Sequence, residues 1–427
     1  MFLVLALLVV VGLMTTTIVV TVRDGYRRTP PCCNVARCND ARTAAEDFNM
    51  ADIDSPPRRR KAPLPLPDKV ALVLQGGGAL GSYQAGVYEA LDAANIRIDQ
   101  VAGISIGAVN AALIAGNPPE LRVKALRAFW DRMSAALPTF PIWGGDLGRE
   151  WLHEASAAFV ASFGVPGFFA PNLWSPFLAL PGSGAALSFY DTAQLAHTLN
   201  DLVDWERLNT GPMRIAVGAV EVESGNFHYF DSANERLDAR HIMASGALPP
   251  GLPGVEIDGK LWWDGGLVSN TPLSHILDTQ DAELLVFQVD LFPAAAPRPT
   301  TMMGVMAREK EIRFSSRTRQ VSDALIKLRR EREAIRRVLD KLPDDLRTDP
   351  DVVALTDMAR EYPVNVVQLI YRANDWESGS RDYEFSARTM AEHWAAGREA
   401  VAATIDRSEL VAANILDGKT AAFDLGR

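Results

Sequence analysis

Between Val70 and Ala115 a short apolar run stops at glycine and gives way to a helix-like pattern, twice in succession. The first run, Val70–Leu74, is apolar without interruption, as expected of a strand buried on both faces in a parallel sheet. It ends in Gly76-Gly77-Gly78-Ala79-Leu80-Gly81. Tyr83, Val87, Ala90, Leu91 and Ala94 then recur at helical spacing, with Glu89 and Asp92 on the opposite side. Ile98–Ala102 reads as a second short strand, running into Gly103-Ile104-Ser105-Ile106-Gly107. From Ile106 to Ala115 the residues are small and almost wholly apolar, which predicts a buried helix. Strand, turn, helix, strand, turn, helix implies an α/β architecture with right-handed crossovers.

The chain has 427 residues, a length that suggests roughly two to three structural units. With 48% hydrophobic and 22% charged residues it can bury a sizeable core, which excludes a mainly disordered chain. Its formal net charge of −10 argues against nucleic acid as the main partner. Cys32, Cys33 and Cys38 all precede the glycine-framed stretch. The body of the protein therefore has no thiol nucleophile and no disulfide framework.

Phe2–Val22 is uncharged and long enough to span a hydrocarbon core as a helix. Arg23, Arg27 and Arg28 follow it, so the positive-inside rule puts the rest of the chain in the cytoplasm. Met50 opens a stretch that resembles the start of a soluble protein, and a chain beginning there would be soluble and cytoplasmic. Residues 23–68 are rich in proline and arginine and read as a linker. Its run Arg58-Arg59-Arg60-Lys61 suits anionic headgroups, although such runs are ordinarily just solvated.

Residues 137–190 scatter Trp143, Trp151, Phe159, Phe163, Phe168, Phe169, Trp174 and Phe177 among glycines and prolines. This is an insert that either packs a small core of its own or walls an apolar pocket. Regular α/β pattern resumes with a helix over Leu195–Leu202, a strand over Met213–Val220 and a short helix over His241–Ala247. Leu261-Trp262-Trp263 is a strand ending in Asp264-Gly265-Gly266, and Leu284–Val289 is another buried strand. Residues 69–298 thus form the α/β body. Residues 299–427 read as a mainly helical extension, with a long helix over Arg308–Lys341, a strand over Val364–Tyr371 and helices from Ser386.

Each glycine turn alone fits two readings. Gly76–Gly81 suits a dinucleotide pyrophosphate, with Asp99 at the distance of a ribose-binding acid, or an anion cradle for acyl transfer. G-x-S-x-G alone fits close helix–strand packing. Together they put the Ser105 hydroxyl on a strand-to-helix bend beside free N–H groups around Gly77 and Gly78, at the start of a helix whose N-terminus favours negative charge. A serine needs a base. His275 and His393 have the usual sequence order for one, yet both sit in helical patterns with no glycine frame. Asp264 closes an apolar strand and precedes two glycines, and partial desolvation raises an aspartate toward useful basicity.

Gly76–Gly81, Gly103–Gly107 and Asp264–Gly266, followed by Asn270-Thr271-Pro272, resemble in order and spacing the patatin-like phospholipases, over roughly Val70 to Phe292. The resemblance implies a three-layer α/β/α sandwich with a mostly parallel central sheet. It also implies a dyad without histidine, in which Ser105 is the nucleophile and Asp264 the proton acceptor. The oxyanion hole would come from Gly76, Gly77, Gly78, Gly81 and Ile106. Gly103, Gly107, Gly265 and Gly266 would frame the two turns. No cofactor or metal is implied. The partner would be a phospholipid or other acyl-ester lipid at a membrane surface. Many members carry arginine where this chain has Leu80, which leaves the preferred substrate charge open. The C-terminal block resembles an extension of bacterial patatin-like proteins. The rival functions are a nucleotide-binding oxidoreductase and a membrane-tethered scaffold with a degenerate site.

Overall fold

The apolar run Val70–Leu74 lies at the centre of the sheet, within β1 (Lys69–Leu74), and all five residues are buried. The computed structural model describes residues 64–426, except 135–144, 360–361, 375–376 and 378, and except the side chains of 146–147 and 316–326. All described residues fall in one unit, Pro56–Arg427. The membrane helix expected over Phe2–Val22 and most of the linker lie outside them. Among the described residues no helix is long and apolar enough to cross a membrane.

After β1 come α1 (Gly81–Ala93), β2 (Gln100–Gly103), α2 (Ile106–Ala115) and α3 (Pro119–Ser134). The insert contributes α4 (Gly145–Phe163) and the short paired strands β3 (Ala170–Pro171) and β4 (Tyr190–Asp191). The body continues through α5 (Ala193–Leu202), β5 (Arg214–Glu221), β6 (Phe227–Asp231) and α6 (Ala239–Ser245). Then follow β7 (Val255–Ile257), β8 (Lys260–Asp264), α7 (Leu273–Asp278) and β9 (Leu284–Asp290). The last part of the chain supplies α8 (Met302–Leu339), β10 (Val364–Ile370), α9 (Ala387–Asp406) and β11 (Ala421–Phe423).

β11, β10, β9, β1, β2 and β5 are joined side by side, all parallel. β6, β7 and β8 are added antiparallel. Alternate residues separate two cores. Leu72, Leu74, Val101, Phe287 and Val289 face α1, α2 and α3. Ala71, Val73, Ala102 and Val286 face Leu273, Ile276 and Leu277 of α7. Helices therefore cover both faces, as the uninterrupted apolar strands require.

The segment beyond residue 298, expected as a mainly helical extension, belongs to this same sheet. β10 matches β9 residue for residue from Val364 to Ile370, and β11 pairs beyond it. α9 lies against α1 so closely that a Cβ on Gly86 would sit 2.0 Å from the Trp394 carbonyl, and one on Gly397 2.2 Å from that of Tyr83. Trp394 Nε1 donates to Glu89 Oε2 at 2.7 Å across the contact. Of the insert's described residues, Val160, Val165 and Phe169 join the main core.

Because backbone meets backbone there, neither helix can yield to a methyl group. Gly397→Ala should lower the free energy of unfolding by about 1–3 kcal/mol, read by urea denaturation.

Candidate active site

The glycine loop after β1 is held by buried amide side chains. Gln75 Oε1 accepts from the N–H groups of Leu291 (2.6 Å) and Phe292 (3.0 Å), while its Nε2 donates to Thr271 Oγ1 at 3.0 Å. Gln84 Nε2 donates to the Gln75 carbonyl at 2.6 Å. Asn110 Nδ2 donates to the Gly81 carbonyl and to Gln84 Oε1, both at 2.9 Å, and accepts from Trp130 Nε1 at 3.1 Å. Asn270, in the Asn-Thr-Pro run, donates from Nδ2 to the Gly76 carbonyl at 3.1 Å, and the Gly76 N–H donates back to its carbonyl at 3.3 Å.

Two of the five amides expected to face an oxyanion are thereby engaged. Gly76 is bonded to Asn270, and the Gly81 N–H donates to the Gly78 carbonyl within a tight turn. The N–H groups of Gly77, Gly78 and Ile106 have no acceptor among the described residues. Gly76 and Gly81 instead shape the loop. A Cβ on Gly76 would lie 2.5 Å from Asn270 Oδ1 and 3.0 Å from Ser105 Cβ.

Ser105 has φ of 55° and ψ of −123°, a left-handed backbone that a non-glycine residue adopts only at a cost of about 1–3 kcal/mol. Its neighbours impose the bend. A Cβ on Gly103 would meet the Gly107 carbonyl at 2.2 Å, and one on Gly107 would meet that of Leu74 at 2.3 Å. The Ser105 N–H donates to Ser245 Oγ at 3.0 Å. α2 starts at the next residue, so the hydroxyl stands at a helix N-terminus.

Strand register brings the aspartate to this serine. β6 occupies one edge of β5 from Ala216 to Val220. β2, opposite Arg214–Val217, and β8, opposite Ala219–Glu221, must share the other edge, running toward each other. Gly103 stands opposite Val217 and Asp264 opposite Ala219, two residues or about 7 Å further along. The serine turn and the aspartate therefore meet end to end. Asp264 is 2% exposed, its Oδ1 accepts from the Gly266 N–H at 2.7 Å, and its carboxylate takes a hydrogen bond from the Ser105 side chain. Burial outweighs these two bonds and pushes the carboxyl up to about 7. Gly265 is needed because a Cβ there would lie 2.5 Å from the Gly218 carbonyl.

The other candidates lie elsewhere. His275 Nε2 is bonded to Asp231 Oδ2 at 2.6 Å, and His393 is buried beside Glu377. None of the histidines borders the cavity described below. Asp99 precedes β2 and accepts from the Val70 N–H at 3.0 Å, at the amino edge of the sheet. Six residues of strand, about 20 Å, separate that edge from the glycine loop, so Asp99 cannot serve a nucleotide seated there. Among the described residues no cluster of three metal-ligating side chains occurs.

Ser105, Asp264, Gly77 and Gly78 border a cavity of about 1170 Å³. Phe168, Phe169 and Tyr190 bring the insert to its wall, Met303 and Ile312 bring α8, and Tyr383 and Phe385 bring the loop before α9. That loop reaches the glycine turn itself: Gly78, with φ of +56°, has the Asp382 carbonyl 2.2 Å from where a Cβ would be. The cations on the wall, among the described side chains, are Lys310 and Arg313 of α8. Lys310 is paired with Asp382, and Arg313 with Glu309 at 2.6 Å. Leu80 is fully buried in the core and does not reach the cavity.

Gln75, Gln84, Ser245 and the Lys310–Asp382 pair escaped sequence reading, because nothing local distinguishes them from surface polars. Asn110 alone left a signal, as the single polar residue in the apolar run of α2.

A family model described as Patatin-like phospholipase matches residues 72–277, and a second, described as Patatin phospholipase, matches 312–414. The chain belongs to the patatin-like phospholipase family. A curated family relative, Lysophospholipase NTE1 of Kluyveromyces lactis, is 27% identical over 227 residues, 52% of this chain and 12% of that protein. The protein of the same name from Yarrowia lipolytica is 27% identical over 230 residues, with the same two shares. The chain thus matches only a small part of the length of these relatives. Among solved structures, VipD from Legionella pneumophila aligns over 83% of this chain and 71% of its own, at 13% identity and a TM-score of 0.36, too low to bear on the fold.

The Asp264 environment has a consequence for stability. Raised from 3.8 to about 7, the carboxyl binds more protons in the folded than in the unfolded chain between those values. Stability is therefore lost as pH rises through that window. Asp264→Asn should remove on the order of 3 kcal/mol of the difference in unfolding free energy between pH 5 and pH 8, measured by denaturant titration at both.

Proposed function

We propose that the protein is a lipid acyl hydrolase of the phospholipase A or lysophospholipase type, working through a Ser105–Asp264 dyad. One observation carries the reading. A serine on a left-handed turn is hydrogen-bonded to a buried aspartate held near neutral pKa, on the floor of an apolar cavity.

In this mechanism Ser105 Oγ attacks the ester carbonyl carbon while its proton passes to the Asp264 carboxylate. The tetrahedral oxyanion is met by the N–H groups of Gly77, Gly78 and Ile106. When the intermediate collapses, the C–O bond breaks and Asp264 returns the proton to the departing alcohol, which leaves an acyl-serine. Asp264 then takes a proton from water, which attacks the acyl carbon; the C–Oγ bond to Ser105 breaks, Asp264 returns the proton to Oγ, and the fatty acid leaves. An ordinary aspartate near 4 would be too weak a base for the first step, and burial supplies the difference. The strained turn and the pre-oriented amides need no reorganisation as charge develops.

The acyl chain would lie along Phe168, Phe169 and Tyr190, which gives the insert the role of pocket wall. Acyl-ester lipid as substrate agrees with the printed names of the curated relatives. Phe2–Val22, outside the described residues, would tether the catalytic body to a membrane from the cytoplasmic side. N-terminal mass analysis separates this from a chain that starts at Met50.

Ser105→Ala should cut turnover of a fluorogenic acyl ester at least 10³-fold with the melting curve unchanged, and a fluorophosphonate probe should label wild type at Ser105. Retention of full activity in that variant would sink the proposal. Nucleotide binding that survives it, detected by calorimetry, would favour the oxidoreductase instead.

Because the base must be ionised, kcat/KM should rise about tenfold per pH unit below 7 and level off above it. A profile flat from pH 5 to 8 would remove Asp264 from that role.

A further inference from the structure

We infer that the loop between β3 and β4 is a membrane-docking surface that seats the mouth of the cavity on a lipid layer; the inference rests on the acyl-ester reading above. The loop has its base in the cavity wall. Phe169 and Tyr190, which line the cavity, flank the β3–β4 pair, and the N–H groups of Phe189 and Tyr190 donate to the carbonyls of Pro250 and Gly251, also in the wall, at 3.1 and 3.0 Å. From this closed base the chain projects outward and turns large apolar groups to solvent. Leu173 is 97% exposed, Trp174 73%, Phe177 85% and Leu180 80%.

Single exposed leucines are ordinary, but a contiguous cluster of this size on one projection marks an interaction surface. The cavity adds apolar surface of its own: Leu267, Val268, Met303 and Met306 are both exposed and part of its lining.

The chemistry favours lipid over a protein partner. From Ala155 to Tyr190 the sequence contains no charged side chain. Most of the loop's polar side chains are bonded to its own backbone: Asn172 Nδ2 donates to the Ser188 carbonyl, Ser183 Oγ to that of Leu180, and Ser188 Oγ to that of Tyr190, while Ser175 is exposed. The outward area is mainly apolar and includes a tryptophan, a residue enriched at membrane interfaces. A protein interface of ordinary specificity would add hydrogen-bonding groups. A lipid layer requires none.

The test uses the full chain with Leu173, Trp174 and Phe177 all replaced by serine. Hydrolysis of a long-chain ester presented in phosphatidylcholine vesicles should fall about 100-fold, while hydrolysis of a water-soluble short-chain ester stays within twofold. Equal loss on both substrates would make the loop a part of the cavity's fold, and no loss on either would leave it without a docking role; each overturns the inference. A second measurement is independent of catalysis. In the Ser105→Ala chain, vesicles containing brominated lipid should quench tryptophan emission, and Trp174→Phe should remove most of that quenching. Quenching without hydrolysis in wild type would leave the docking surface standing and the hydrolase reading fallen. Unchanged quenching in Trp174→Phe, or a change only in oligomeric state, would point to another occupant.

Discussion

The site depends on a buried carboxyl group that has no cation beside it among the described residues. Asp264 is hydrogen-bonded only by a backbone N–H and a serine hydroxyl, so desolvation dominates and its pKa climbs to about 7. The same fold contains the opposite case. Asp231 is also buried, yet His275 and Arg214 overcome the effect of burial and hold its carboxyl far below the usual range. Two buried aspartates, on strands that flank β5, therefore shift in opposite directions, and the hydrogen-bonding partners of Asp231 are what bring its carboxyl down. An arginine next to Asp264 would stabilise its charge and bring its pKa back down.

Everything around that carboxyl acts to keep it near the serine and away from water. β2 and β8 approach each other along one edge of β5, so register sets the spacing between Ser105 and Asp264. The glycines on both sides serve close approach: Gly103, Gly107 and Gly265 each lie within a Cβ's reach of a backbone carbonyl. Buried amides from four separate segments (Gln75, Gln84, Asn110 and Asn270) then fix the loop that faces the serine. Gln75, Gln84 and Asn110 have both side-chain polar atoms paired, as low dielectric demands. The C-terminal segment completes the enclosure. It extends the sheet with β10, and through Asp382 and Tyr383 it meets the glycine loop from the other side.

Much of this was legible before any coordinates. Val70–Leu74, Ile106–Ala115 and Leu284–Val289 are apolar for their full length and became a strand, a helix and a strand at nearly those bounds. The three glycine motifs are local, since a tight turn or a close approach can be read from the absence of a side chain. Less legible was the role of residues that act at a distance. The segment beyond residue 298 reads as helical because most of it is, and a single strand among helices does not announce which sheet it joins. The insert's aromatics had two accounts, and packing showed that Phe168 and Phe169 face inward while Trp174 and Phe177 face water. Gly76 and Gly81 are conspicuous in sequence as possible donors, but their N–H groups are bonded within the loop.

By itself the sequence determined the alternation of strands and helices, the bends at Gly76–Gly81 and Ser105, and the presence of one aspartate framed by glycines. Those are properties of residues within a few positions of one another, set by sterics and hydrophobic period. Only the tertiary structure decided that Asp264 meets Ser105, that among the described residues no histidine or cation joins them, and that three of the five expected amides stay free. Such facts depend on strand register and on which groups are excluded from a site. Neither is written in local pattern, because both are settled by segments more than a hundred residues apart packing against a common sheet.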